Sequence, residues 1–225
     1  MVALFASAAP PEVQELDVEQ AFKAGQLPSP SPSATVPPKI VVSPTTPKPS
    51  STTVPERASG QFTRAKVSAR SGTSGELVNY RVEVEDGLGL SADPFAQAVA
   101  STLADPRGWI HGGDYQFRAT GDAPLRVVLA SPATTDKLCA PLQTRGEVSC
   151  RNGDNVVINA RRWVLGVPHI PDLELYRQYV LNHEVGHALG RQHEACPGAG
   201  QLAPVMAQQT LGLDGCRANA WPQPQ

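Results

Sequence analysis

From residue 61 onward, apolar and polar positions follow two periods along the chain. Phe62 to Ala69 and Leu77 to Glu85 alternate on either side of Ser71-Gly72-Thr73-Ser74-Gly75, which predicts two strands paired as a hairpin. Asp93-Pro94 then opens a helix, with Asp93 as N-cap and Pro94 at its first position. That helix runs to about Leu103 and collects Phe95, Val99, Thr102 and Leu103 on one face, with Trp109 in the loop beyond. Tyr115 to Thr120 and Leu125 to Ser131 read as two further strands joined through Gly121-Asp122. Glu147 to Arg151 and Asn155 to Ala160 flank Asn152-Gly153-Asp154, a hairpin signal, and Trp163 closes that run. Asp172 caps a long helix over Leu173 to about Leu189, whose inner side carries Leu175, Tyr179 and Val180. Tyr176 and Tyr179 read as packing residues. The order of strand, helix, strands, hairpin and long helix is that of an α+β domain.

Residues 1–60 follow neither period. They hold half of the 22 prolines, and Pro28 to Pro55 is nearly all Pro, Ser, Thr and Val. Such a stretch buries too little apolar surface to offset its ordering entropy and reads as an extended stalk or linker, leaving 61–225 as the folded domain. Residues 12–23 carry a weak amphipathic pattern that predicts a short helix. Val2 to Ala9 is apolar but far short of a membrane span. With the stalk and the cysteines, it is expected to be the end of an export or anchor segment truncated at Met1, placing the domain outside the cytoplasm.

The long helix ends in His183-Glu184-Val185-Gly186-His187-Ala188-Leu189-Gly190-Arg191-Gln192-His193. Residues four apart share a helix face, so His183 and His187 can face one metal ion. Glu184 lies about 100° around the helix, beside the metal, where its carboxylate can accept a proton from a metal-activated water. Gly190 can take positive φ and end the helix, so the chain can turn back and offer His193 as third ligand. Three imidazoles without a carboxylate cluster favour zinc over calcium and leave one coordination position open, as catalytic sites do. His111 and His169 fall outside the pattern and read as loop or solvent histidines.

Net charge is −2, which favours neither nucleic acid nor an anionic membrane as partner. The four cysteines, Cys139, Cys150, Cys196 and Cys216, form no CxxC pair. In an exported protein they read as two disulfides, Cys139–Cys150 and Cys196–Cys216 being favoured because each closes a local loop. In a cytosolic protein they would be buried thiols.

The HExxHxxGxxH stretch, with Met206 in Ala203-Pro204-Val205-Met206, resembles the metzincin metallopeptidases, and Glu194 after the third histidine resembles the astacin-type variant. With the Cys-Pro-Gly that follows and the stalk before it, the chain from about 60 to 222 also looks like an uncharacterised family of zincin-like domains in exported actinobacterial proteins. The metzincin resemblance implies a twisted mixed sheet with a backing helix, an active-site helix and a small C-terminal subdomain. It also implies His183, His187 and His193 as Zn2+ ligands, Glu184 as general base and Met206 as the floor under the metal. The sheet's edge strand, mapped to Glu147 to Arg151, would bind substrate by strand addition, with Cys139–Cys150 stiffening it and Cys196–Cys216 holding His193 and Met206. The chain departs from the family in having no tyrosine shortly after Met206. The function expected is a zinc endopeptidase acting on an extracytoplasmic protein or peptide. The alternatives are a non-catalytic zinc-stabilised envelope module and a peptidoglycan cross-link hydrolase.

Overall fold

The computed structural model describes residues 53–223. Residues 1–52 of the stalk expected over 1–60, the short helix expected at 12–23 and the apolar Val2 to Ala9 lie outside the described residues. Residues just before 61 are held to the folded body: Ala133 N donates to Glu56 O (3.0 Å), Ala58 N to Ser131 Oγ (3.2 Å) and Gly60 N to Glu85 Oε1 (2.8 Å). The body therefore reaches upstream of residue 61.

The described residues form an α+β fold around one mixed sheet of seven strands: β1 (Phe62–Arg64), β2 (Arg70–Ser71), β3 (Glu76–Glu85), β4 (Tyr115–Ala119), β5 (Leu125–Ala130), β6 (Cys150–Asn152) and β7 (Asn155–Asn159). The order is β2-β4-β3-β5-β7-β6, with β1 beside β3. β4, β3, β5 and β7 are parallel, whereas β1, β2 and the edge strand β6 are antiparallel to their partners. Four helices accompany the sheet: α1 (Ala92–Ala104), α2 (Pro132–Cys139), α3 (Ala160–Leu165) and α4 (Leu173–Ala188).

Alternation along the strands feeds two cores. Val127, Leu129, Val156 and Ile158 face the side covered by α1 and α4, where Phe95, Val99, Val180, Leu181 and Val185 fill the main core. Val128, Ala130 and Val157 face the other side, with Cys139, Cys150 and Leu138. Val127 through Ala130 are fully buried because both faces of β5 are covered, as parallel strands require. Trp163 lies in α3 and meets Phe95 edge-on at 4.9 Å. No described helix is long and apolar enough to cross a membrane.

Three local expectations are corrected, and two features of the fold add to them. The first strand stops at Arg64; β1 does pair antiparallel with β3, but Arg70–Ser71 joins β4 instead. Strands β4 and β5 are not neighbours: they flank the first and second halves of β3, and the chain crosses β3 at Tyr80, where Thr120 N donates to Tyr80 O. The N-cap of α1 is Ser91, which puts Asp93 and Pro94 inside its first turn, where the backbone N–H groups have no intrahelical acceptor and proline is tolerated. Helix α2 is absent from the periodicity because its buried side chains are mostly Pro132, Thr134, Thr135 and Cys139. The edge strand is Cys150–Asn152, since Glu147 ends a turn closed by Glu147 N to Thr144 O and Val148 and Ser149 lead out of it without pairing as strand.

Candidate metal centre

Helix α4 carries the site and has defined ends. Asp172 is its N-cap, and its side chain accepts from Glu174 N (3.0 Å) and Leu175 N (3.1 Å). At the other end Gly190 has φ 82°. Gly190 N donates to His187 O (3.1 Å) and Arg191 N to Gly186 O (2.9 Å), the paired bonds of a Schellman motif. This reversal carries the chain back to His193.

The three imidazoles converge. One ligand atom from each of His183, His187 and His193 lies within 4.8 Å of the others, and His187 Nε2 is 3.1 Å from His193 Nε2. His183 Nδ1 lies 2.9 Å from Val205 O, and His187 Nδ1 lies 2.9 Å from Arg191 O. A carbonyl can only accept, so both rings carry the proton on Nδ1 and turn a bare Nε2 lone pair inward. Outer hydrogen bonds of this kind orient metal-ligating histidines. Burial lowers the pKa of His183 to about 4 and also lowers that of His193, which keeps these rings in the neutral form a metal needs. A tetrahedral zinc ion with bonds of about 2.0–2.1 Å separates its nitrogens by roughly 3.4 Å, between the 3.1 Å of the His187–His193 pair and the 4.8 Å limit of the triad, so the donor set fits a metal ion.

Glu184 is 5 % exposed. Among the described residues its carboxylate makes no hydrogen bond, and burial pushes its pKa up to about 8. It sits on the same turn as the triad without being one of the three clustered ligands.

The segment after His193 is fixed against α4 by specific bonds. Met206 is 1 % exposed, and its thioether packs against Gly186: a Cβ there would stand 2.5 Å from Met206 Sδ and 2.7 Å from Trp109 Cζ2. Trp109 Nε1 donates to Asn182 O (3.0 Å). Tyr179 O–H donates to Ala207 O (3.0 Å) and Tyr176 meets Thr210 Oγ1 (3.1 Å). Burial raises the pKa of both tyrosines, Tyr176 to about 12, as structural phenols require. Buried Gln209 donates to Pro204 O and Asn219 O and accepts from Asn219 N. Two disulfides are present, Cys139–Cys150 and Cys196–Cys216. The second closes a loop that carries Met206 and begins three residues after His193. The first joins α2 to β6 on the sheet face away from α4. Such bridges persist in oxidising compartments. Trp221 is buried beneath Arg107, 4.1 Å from its ring centroid.

The expected site residues are thus placed as follows. His183, His187, His193, Glu184, Gly190 and Met206 are gathered on and under the end of α4, with Cys196 and Cys216 beside them, while Cys139 and Cys150 are not. His111 is exposed, its Nδ1 3.3 Å from Pro106 O, and His169 is a loop residue whose Nε2 lies 2.7 Å from Gln209 O. The sequence reading missed Gly186, Trp109, Gln209 and Asn219. No local pattern marks them, since each acts on a segment distant in sequence.

A cavity of about 340 Å³ opens beside His193 and is bounded by Glu194, Gln208, Leu213 and Asp214. A second, of about 360 Å³, lies between Ala188-Leu189 and the first residues of β3, β4 and β5.

Comparison with curated proteins finds no match, and comparison with solved structures finds none. One protein family does match, over residues 48–223, a span that takes in the whole sheet, the ligand helix, the buried methionine and both disulfides. The chain accordingly belongs to the family described as Protein of unknown function (DUF3152).

Proposed function

We propose that this chain is a zinc-dependent peptidase of metzincin type, acting outside the cytoplasm on protein or peptide substrates. The observation that carries the reading is the convergence of three imidazoles at the end of α4 with a buried, unpartnered carboxylate on the same turn. Zinc is favoured because all three donors are imidazoles. The sheet, with a short antiparallel edge strand β6 and the ligand helix packed against β7, supports the metzincin likeness. The two disulfides support the location.

Zinc at this site supplies Lewis-acid activation of water and of the scissile carbonyl. The residues of the chain do the rest. Val205 O and Arg191 O hold the His183 and His187 rings in the ligating tautomer. Glu184 accepts the proton of the attacking water and passes it to the amine as the C–N bond breaks. Met206 fills the space beneath the helix and excludes solvent from that side.

The test uses the oxidised protein, its metal content and a mixed peptide library read by mass spectrometry. Wild type is expected to carry about one zinc per chain and to cleave, and Glu184→Gln to keep zinc without cleaving. Zinc in both proteins with cleavage of neither peptides nor cell-wall fragments would favour a non-catalytic envelope module. Cleavage of cell-wall peptides alone would assign the same chemistry to cross-links.

A further inference from the structure

Resting on the peptidase reading, we propose that Gln208 donates a hydrogen bond from its side-chain amide to the scissile carbonyl oxygen of the substrate. Peptide hydrolysis places negative charge on that oxygen, and a hydrogen-bond donor aimed at it stabilises the transition state more than the ground state. A cavity of about 340 Å³ borders the triad at His193. Its polar side chains divide clearly. Glu194 and Asp214 are carboxylates and accept only. Gln209 has both amide functions committed, to Pro204 O, Asn219 O and Asn219 N. His193 is a ligand. Gln208 is the remaining side-chain donor. It is exposed between buried Ala207 and buried Gln209, and its amide bonds to none of the described residues.

The placement is rigid although the side chain is free. On one side Ala207 N donates to Pro204 O (2.9 Å) and Ala207 O accepts from Tyr179. On the other, Gln209 is locked as above, and Gln208 O accepts from Leu211 N (2.9 Å). The backbone of Gln208 is therefore fixed relative to Met206 and α4, while its side chain projects from the turn. The turn thus supplies a fixed base, and bound substrate orders the amide that projects from it.

The experiment compares wild type, Gln208→Ala, Gln208→Glu and Gln208→Asn as zinc-loaded proteins. Zinc per chain, thermal midpoint, kcat and KM on a cleaved peptide, and calorimetric affinity for a phosphinic peptide that mimics the tetrahedral oxyanion are measured for each. Gln208→Ala and Gln208→Glu are expected to keep zinc and thermal midpoint, and to lose about 10²–10³ in kcat with KM little changed. Phosphinate affinity should fall by a similar factor and the affinity for a product peptide should not, and Gln208→Asn should recover part of both losses. A wild-type kcat and phosphinate affinity in Gln208→Ala overturn the role of Gln208 while leaving the peptidase reading intact. A wild type that takes up no zinc, or that neither cleaves nor binds the phosphinate, overturns the peptidase reading and this role with it.

Discussion

At the scale of single residues, the site depends on groups that the ligand pattern does not name. Gly186 lies between the two ligand histidines of α4, where Met206 and Trp109 approach closer than a methyl group allows. Helix propensity alone makes Gly186→Ala stabilising by about 1 kcal/mol. Overpacking against a buried thioether and an indole outweighs this, so the net effect is expected to be a destabilisation of roughly 1–2 kcal/mol, read as a lowered urea midpoint with an unchanged slope. Glu83 shows the same dependence on neighbours. Its burial raises the pKa, but hydrogen bonds and charge from Arg126 (2.5 and 2.8 Å) and Arg81 (2.9 Å) outweigh burial and hold it below the ordinary carboxylate value. A depressed folded-state pKa contributes stability above the unfolded-state value of 4.5 and loses it as pH falls through the folded-state value. Glu83→Gln is therefore expected to be less stable than wild type at pH 7, with the difference shrinking below about pH 4. Denaturant midpoints at several pH values check this.

At the scale of elements, α4 and the loop after it work as one unit. Asp172→Ala removes two cap bonds and is expected to lower stability by about 1 kcal/mol without changing metal affinity, since the ligands lie at the opposite end. The Cys196→Ser/Cys216→Ser pair is expected to lower stability by about 3 kcal/mol and also to weaken zinc binding, because the loop that this bridge closes carries Val205, whose carbonyl orients His183, and begins three residues after His193. Competition with a coloured chelator measures the second effect. The contrast between ends explains what could be read from sequence. Asp172, the ligand spacing and Gly190 act within one helix and its cap, and they were legible. Helix α2 was not, because its buried face is made of Pro132, Thr134, Thr135 and Cys139 rather than of regularly spaced aliphatics. The separation of β4 from β5 was hidden as well, since strand alternation reports faces and not partners. The roles of Trp109, Gly186 and Gln209 depend on contacts between segments far apart in the chain, which no local pattern records.

At the scale of the whole molecule, the triad joins α4 to a C-terminal region, beyond residue 193, that holds no regular helix or strand among the described residues. Metal binding should therefore feed into global stability. With free zinc at 1,000 times Kd, linkage adds about 4 kcal/mol, on the order of a 10 °C rise in Tm for a domain of this size, and a chelator should reverse it in calorimetry. The same construction gives the molecule an optical readout. Of its three tryptophans, Trp163 packs on Phe95 and Trp221 under Arg107, whereas Trp109 rests on the ligand turn, bonded to Asn182 O with Arg191 over its ring. Its indole emission reports the electrostatic and packing state of that turn without any attached dye. A paramagnetic ion such as cobalt seated in the triad would quench Trp109 most strongly of the three, so the arrival of metal can be followed by fluorescence in real time.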